Sequence, residues 1–249
     1  MSTISKPAPT RHPVELVPEL ENGDRLTRAE FERRYEAMPV VKKAELIEGV
    51  VYMPSPVRQR RHSRPHLHLG TWLGYYEAGT PGVEGGDNGS IRLDLDNEPQ
   101  PDAFLFIQPE CGGQARISSD DYVEGAPDMV AEVASSSASY DLGVKLQVYR
   151  RNGVREYVVW RVLDRQIDWF VLREGRYESM ALSADGLYRS TVFPGLWLDP
   201  VALRDHDLAR VLAFVQEGLN TAEHADFVAR LEQVKTQAGA HSPGPNDPR

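Results

Sequence analysis

Three acids and one lysine stand where a solvent-facing pattern would not place them. Glu132 interrupts the apolar, strand-like run Asp128 to Ala134. Side chains alternate along a strand, so Val130, Glu132 and Ala134 share one face. A carboxylate in or beside a core costs several kcal/mol unless it is paired or holds a metal. Lys145 follows in a helical stretch, three residues after Leu142 and four before Tyr149. It therefore projects from the edge of the apolar stripe Leu142, Leu146, Tyr149, where it either snorkels to water or points toward Glu132. Asp102 directly follows Pro101 and opens the apolar strand Ala103 to Ile107. Glu45 falls on the side of Ile47, Val51 and Met53; its competitor Glu48 precedes Gly49 and suits a turn, so Glu45 is preferred. Three carboxylates converging on one sheet make a hard-oxygen site. Mg²⁺ or Mn²⁺ uses one or two carboxylates with waters and substrate phosphates, and a neighbouring lysine helps to balance phosphate charge.

The elements that must position these groups follow from periodicity. Ala126 to Trp160 reads as strand, serine loop, helix, turn and strand, with Asn152-Gly153 ending the helix and Glu156 to Val162 returning. Upstream, Thr27 caps a helix over Leu26 to Met38, and Ala44 to Met53 forms two short strands or one bent strand around Glu48-Gly49. Leu67 to Tyr76 is helical with Leu69, Trp72, Leu73 and Tyr76 inward. Gly79 to Gly89 is a glycine-rich loop, Ser90 to Leu95 a strand, and Gln108 to Gly125 a long polar loop. Downstream, Ile167 to Leu172 and Arg176 to Leu182 continue as hairpins, and Thr191 to Leu198 finishes the core. Val201 to Leu219 and Ala222 to Lys235 are helices. The expected fold is α/β, a mixed central sheet flanked by helices with a C-terminal helical extension. Its parts are a mobile arm over 1–25, a domain over 26–200, helices over 201–236 and a disordered tail over 237–249.

Composition narrows the setting. The chain has 249 residues, 41% hydrophobic and 26% charged, the profile of a soluble globular protein. A single cysteine excludes an intramolecular disulfide and fits a reducing cytoplasm. The sequence has neither an apolar run long enough for a membrane span nor an apolar stretch after Met1 resembling a secretory signal, so a cytoplasmic location is expected. The net charge of −9 argues against a general nucleic-acid coat protein. It does not oppose an enzyme whose basic surface is local.

The ordered series of motifs resembles the PD-(D/E)XK nuclease superfamily and, within it, the Uma-type endonucleases. The matching residues are ELIEG from Glu45, the MPSP run with His62 downstream, and PD at Pro101-Asp102. APDMVAEVAS from Ala126 follows, then Asp141, Lys145 and Tyr149, GVREY from Gly153, and FPGLWL from Phe193. The resemblance covers roughly Thr27 to Leu198. It implies a restriction-endonuclease-like fold and metal-dependent hydrolysis of DNA phosphodiesters. It implies Asp102 and Glu132 as paired metal ligands, completed by Glu45 and the backbone carbonyl of Val133. The lysine expected two residues after Glu132 is Ala134 here, and Lys145 resembles the migrated lysine of this branch.

Other residues admit simpler readings. Glu132 could be a core acid paired with an arginine, and Asp102 could merely begin a strand. Arg58, Arg60, Arg61 and Arg64, with His62, His66 and His68, form the most cationic stretch. Arg61, Arg64 and His62 are candidate contacts to DNA phosphates, against a plain solvated face. A zinc site on His62 and His66 is disfavoured because Pro65 interferes with a helix that begins before it. Ser135 caps or orients the site rather than acting as a nucleophile. The rival function is a catalytically inactive nuclease-fold module that binds DNA or protein; a histidine-ligated metalloenzyme is a weaker third. The C-terminal helices offer a surface on which two chains could pair as a homodimer.

Overall fold

The apolar runs pair into one sheet, in a computed structural model that describes residues 17–53 and 58–241. Residues 1–16, 54–57 and 242–249, which include most of the MPSP run, lie outside the described residues. Helix α1 (Arg28–Glu36) precedes a hairpin of β1 (Glu45–Ile47) and β2 (Val50–Tyr52). Then come α2 (Arg64–Ala78), β3 (Val83–Gly86), β4 (Ala103–Ile107) and β5 (Met129–Ala134). A composite helix α3 over 138–152 has a π-helical middle, Asp141–Lys145. It leads to β6 (Glu156–Arg161), β7 (Gln166–Arg173) and β8 (Arg176–Ser179). Helices α4 (Pro200–Arg204), α5 (Leu208–Leu219) and α6 (Ala222–His241) follow. Among the described residues, no helix is long and apolar enough to cross a membrane.

The central sheet has the order β8-β7-β6-β5-β4-β3, and only β5 and β6 run parallel, as the intervening α3 crossover requires. Met129, Ala131 and Val133 of β5 pack with Leu69, Trp72, Leu73 and Tyr76 of α2. The other face, with Val130 and Ala134, packs against Leu142, Leu146 and Tyr149 of α3. Glu132 shares this second face by alternation, so the helix carrying Lys145 lies over the strand carrying Glu132.

Several expectations are corrected. The arm does not extend to residue 25: Leu20 is buried, Gly23 donates its N–H to Val51 at 2.8 Å, and Arg25 bridges Val50. Part of the glycine loop is strand β3, because Gly86 leaves room for the Phe104 ring; a Cβ there would lie 2.1 Å from it. The polar loop after Gln108 is not featureless: Arg116–Ile117 and Val123–Glu124 join Ile91–Arg92 in a small sheet. The helix expected over Val201 to Leu219 breaks at His206, whose φ is +60°, and Asp207 caps the resumed helix through the Arg210 N–H at 3.1 Å. Helix α6 runs to His241, into the segment expected as a disordered tail.

Candidate active site

The site forms where β5 outruns its neighbour. Pairing of β4 with β5 ends at Ala103–Ala131, so Glu132, Val133 and Ala134 continue past it. The Val133 N–H donates to Asp102 Oδ2 at 2.8 Å instead of to a strand. N–H and C=O of one strand residue point to the same edge, so the Val133 carbonyl also lies on the Asp102 side. From the adjacent chain, the Asp102 N–H lies 3.4 Å from Glu132 Oε2.

Glu45 reaches the same place from the hairpin. Glu48 and Gly49 both have positive φ, +54° and +69°, the signature of a tight two-residue turn. Glu48 thus sits at the turn and pairs with Arg151, whereas Glu45 is buried and accepts the Gln100 N–H at 2.8 Å. Lys145 closes the group: its Nζ lies 2.5 Å from Glu132 Oε1 and 2.9 Å from Glu45 Oε1. The Tyr149 hydroxyl donates to Glu132 Oε1 at 3.0 Å. The four residues singled out from sequence therefore meet.

A second cation also belongs to the group. Lys43 Nζ lies 3.2 Å from Asp102 Oδ1 and 3.0 Å from Asn88 Oδ1. His62 Nε2 lies 3.3 Å from Asp102 Oδ2. Burial pulls the Asp102 carboxyl upward, but the His62 hydrogen bond, the Lys43 charge and the Val133 N–H hold it well below the ordinary range. Glu132 is pushed up to about 8, by burial first and then by Asp102, Asp141 and Glu45, with Lys145 pulling the other way. Burial opposes the Lys145 charge, yet Glu132, Glu45 and Asp141 hold its pKa well above that of a free lysine. Lys43 is raised likewise by Asp102, Glu132 and Glu45 against its own burial. Close carboxylates repel one another, and here two ammonium groups stand among them.

These residues line a cleft of about 640 Å³ with Arg58, Arg61, Tyr52, Tyr140 and Ser135 to Ser137 on its walls. Arg61 and Ser135 are thus brought to the acids, as is His62. Arg64 is not: it is exposed and lies outside the cleft lining, and Arg58 lines the cleft.

Residues 28–202 match the Uma2 family, described as "Putative restriction endonuclease". The chain belongs to this family. No curated protein matches it. Among solved structures it is similar to one titled as a putative nuclease belonging to DUF820 from Anabaena variabilis ATCC 29413. The TM-score is 0.51 at 14% identity, over 83% of this chain and 99% of that one. At that identity the likeness concerns the fold, and it agrees with the nuclease-like α/β architecture expected from the motifs.

Sequence reading missed Lys43 in this Uma2 chain, although a signal was present. Lys43, Glu45 and Ile47 alternate onto one face as the chain enters β1. Tyr149, placed by its spacing in the apolar stripe of α3, is fully buried, but its hydroxyl serves Glu132. Asp141, buried one helical turn before Lys145, also faces the cleft.

Proposed function

We propose that the protein is a metal-dependent endonuclease that hydrolyses DNA phosphodiester bonds. What carries this reading is the meeting of Asp102, Glu132, Glu45 and Lys145 at the open end of β5, in a cleft rimmed by Arg58 and Arg61. Membership in a family described as "Putative restriction endonuclease" supports it.

The donor set fits a hard divalent cation, Mg²⁺ or Mn²⁺. Asp102 and Glu132 approach from adjoining strands, the Val133 carbonyl lies on the same edge, and Glu45 is within reach of the same lysine. A cation bound there supplies Lewis acidity, acidifying a water and offsetting phosphate charge. Hydrolysis forms a P–O bond from water, breaks the P–O bond to the leaving oxygen and delivers a proton to that oxygen. The Lys145 ammonium, fixed by Glu132 and Glu45, faces charge that develops on phosphate. Arg58, Arg61 and His62 on the cleft wall contact the DNA backbone. Ser135, at the end of β5, orients the entering phosphate.

Cleavage of supercoiled and linear plasmid, with Mg²⁺, Mn²⁺ or EDTA, tests this reading against the inactive-module alternative. The expected result is metal-dependent nicking that Glu132→Ala abolishes while circular dichroism reports an intact fold. Nicking that survives Glu132→Ala overturns the assignment. No cleavage, together with calorimetric Mn²⁺ binding that ignores the substitution, favours the inactive module.

A further inference from the structure

We infer that His62, His66 and Asp102 form a second cation site, selective for a borderline-soft divalent ion such as Zn²⁺ or Co²⁺, beside the carboxylate site. It shares Asp102 and His62 with the proposed nuclease cleft, where His62 otherwise faces the DNA backbone, and rests on that reading through no other residue.

The scaffold explains why two histidines converge. A π turn, Gln59–Ser63, runs directly into α2, with Pro65 in the first turn of that helix. The π turn carries the Arg64 N–H to the Gln59 carbonyl, and the chain continues past Pro65 into α2 without a break. The sequence-based objection that Pro65 separates the two residues therefore falls. His62 and His66 lie on one side with ring centroids 5.7 Å apart. His68 does not join them; it turns inward against His206 at 5.3 Å.

The donor atoms are already close. One ring nitrogen from each of His62 and His66 and a carboxylate oxygen of Asp102 all lie within 4.8 Å of one another. Metal–ligand bonds of about 2.0–2.2 Å in tetrahedral geometry put ligand atoms roughly 3.3–3.6 Å apart. The His62–Asp102 pair, at 3.3 Å, is at that spacing, and a bound ion would draw in the His66 nitrogen, which lies within 4.8 Å of both. His66 Nε2 now rests 2.7 Å from the Asp102 carbonyl and 2.9 Å from Asp87 Oδ1. Asp87 thus offers a fourth oxygen.

Chemistry separates this site from its neighbour. Two imidazoles favour Zn²⁺, Co²⁺ or related ions, whereas an all-oxygen set favours Mg²⁺. Both histidine side chains are partly exposed, at 23% and 16%, so an ion reaches them without opening the core. Lys43, which opposes a cation near Asp102, has Asn88 as an alternative partner.

The test is the visible absorption of Co²⁺ bound to the full chain in excess Mg²⁺. The expected result is a ligand-field band that persists in Glu132→Ala, with Co²⁺ affinity falling by about a hundredfold in His62→Ala and in His66→Ala. A band unchanged in both histidine variants overturns the inference, as does one lost only in Glu132→Ala. Wild-type protein gives an independent reading: Zn²⁺ should shift the imidazole Nε2 resonances of two histidines in excess Mg²⁺, and no shift in any histidine also overturns it. Plasmid cleavage fails or succeeds independently of these readouts, so each proposal can fall alone.

Discussion

Lys145 sets the charge balance of the site, since one ammonium group serves both Glu132 and Glu45. Removing one partner of a buried ion pair costs roughly 3–5 kcal/mol, because the remaining charge is left uncompensated. Lys145→Met is therefore expected to lower unfolding stability by about that amount and to abolish cleavage. Saturating Mg²⁺ should restore part of the stability, as any ligand of the native state does. Urea denaturation with and without the cation measures both effects; a variant as stable as wild type in EDTA would show that the acids do not need the lysine. The site's main residues were legible because each broke a local pattern: Glu132 within an apolar strand, Lys145 at the edge of an apolar stripe. Lys43 shares the alternation of Glu45 and Ile47, but a lysine ahead of a strand is ordinary, and only pairing with Asp102, 59 positions away, gives it a role. Tyr149 was hidden for another reason. An inward tyrosine looks like core whether or not its hydroxyl has a polar target.

The hairpin β1–β2 is tied to the rest of the molecule by an element that periodicity did not register. Glu98 pairs with Leu46 through both backbone hydrogen bonds, N–H to O at 2.8 Å and 3.1 Å, and so anchors the strand that carries Glu45. Its side chain is buried, and burial together with neighbouring Glu32 pushes its pKa up to about 8, from an ordinary 4.5. The folded state therefore keeps a proton that the unfolded chain releases between these values. The stabilising contribution is fully present below pH 4.5 and is lost as pH rises toward 8. Glu98→Gln should flatten that decline, read as urea midpoints at about pH 5 and about pH 8. A variant whose midpoints fall as steeply as those of wild type would remove Glu98 as the cause. Burial leaves a helical repeat in α2 and continuous apolar runs in β4 and β5, which are buried throughout, and so makes these elements legible. Two-residue strands such as Arg116–Ile117 carry no repeat, and half of β3 is glycine, whose purpose appears only against Phe104.

A molecule carrying a net charge of −9 repels DNA at long range, so an approach must rely on a local exception. The cleft wall provides one in Arg58 and Arg61, which flank an acid-rich floor that becomes attractive to phosphate only when cations offset it. Affinity for duplex DNA should therefore depend on divalent ion and weaken steeply with monovalent salt. Each phosphate contact contributes about 0.9 to the slope of log K against log salt concentration. Arg58→Ala and Arg61→Ala are each expected to reduce the slope by about that amount, with little change in sequence preference. Arg64→Ala provides the contrast, because Arg64 is exposed and outside the cleft lining, and should leave the slope unchanged. Fluorescence anisotropy over a salt series, with Ca²⁺ replacing Mg²⁺ to suppress cleavage, measures these slopes. Equal loss in all three variants would mean that DNA meets the whole basic stretch rather than the cleft. No loss at Arg58 and Arg61 would mean that it enters elsewhere, and the rim assignment would fall even if the acids proved catalytic.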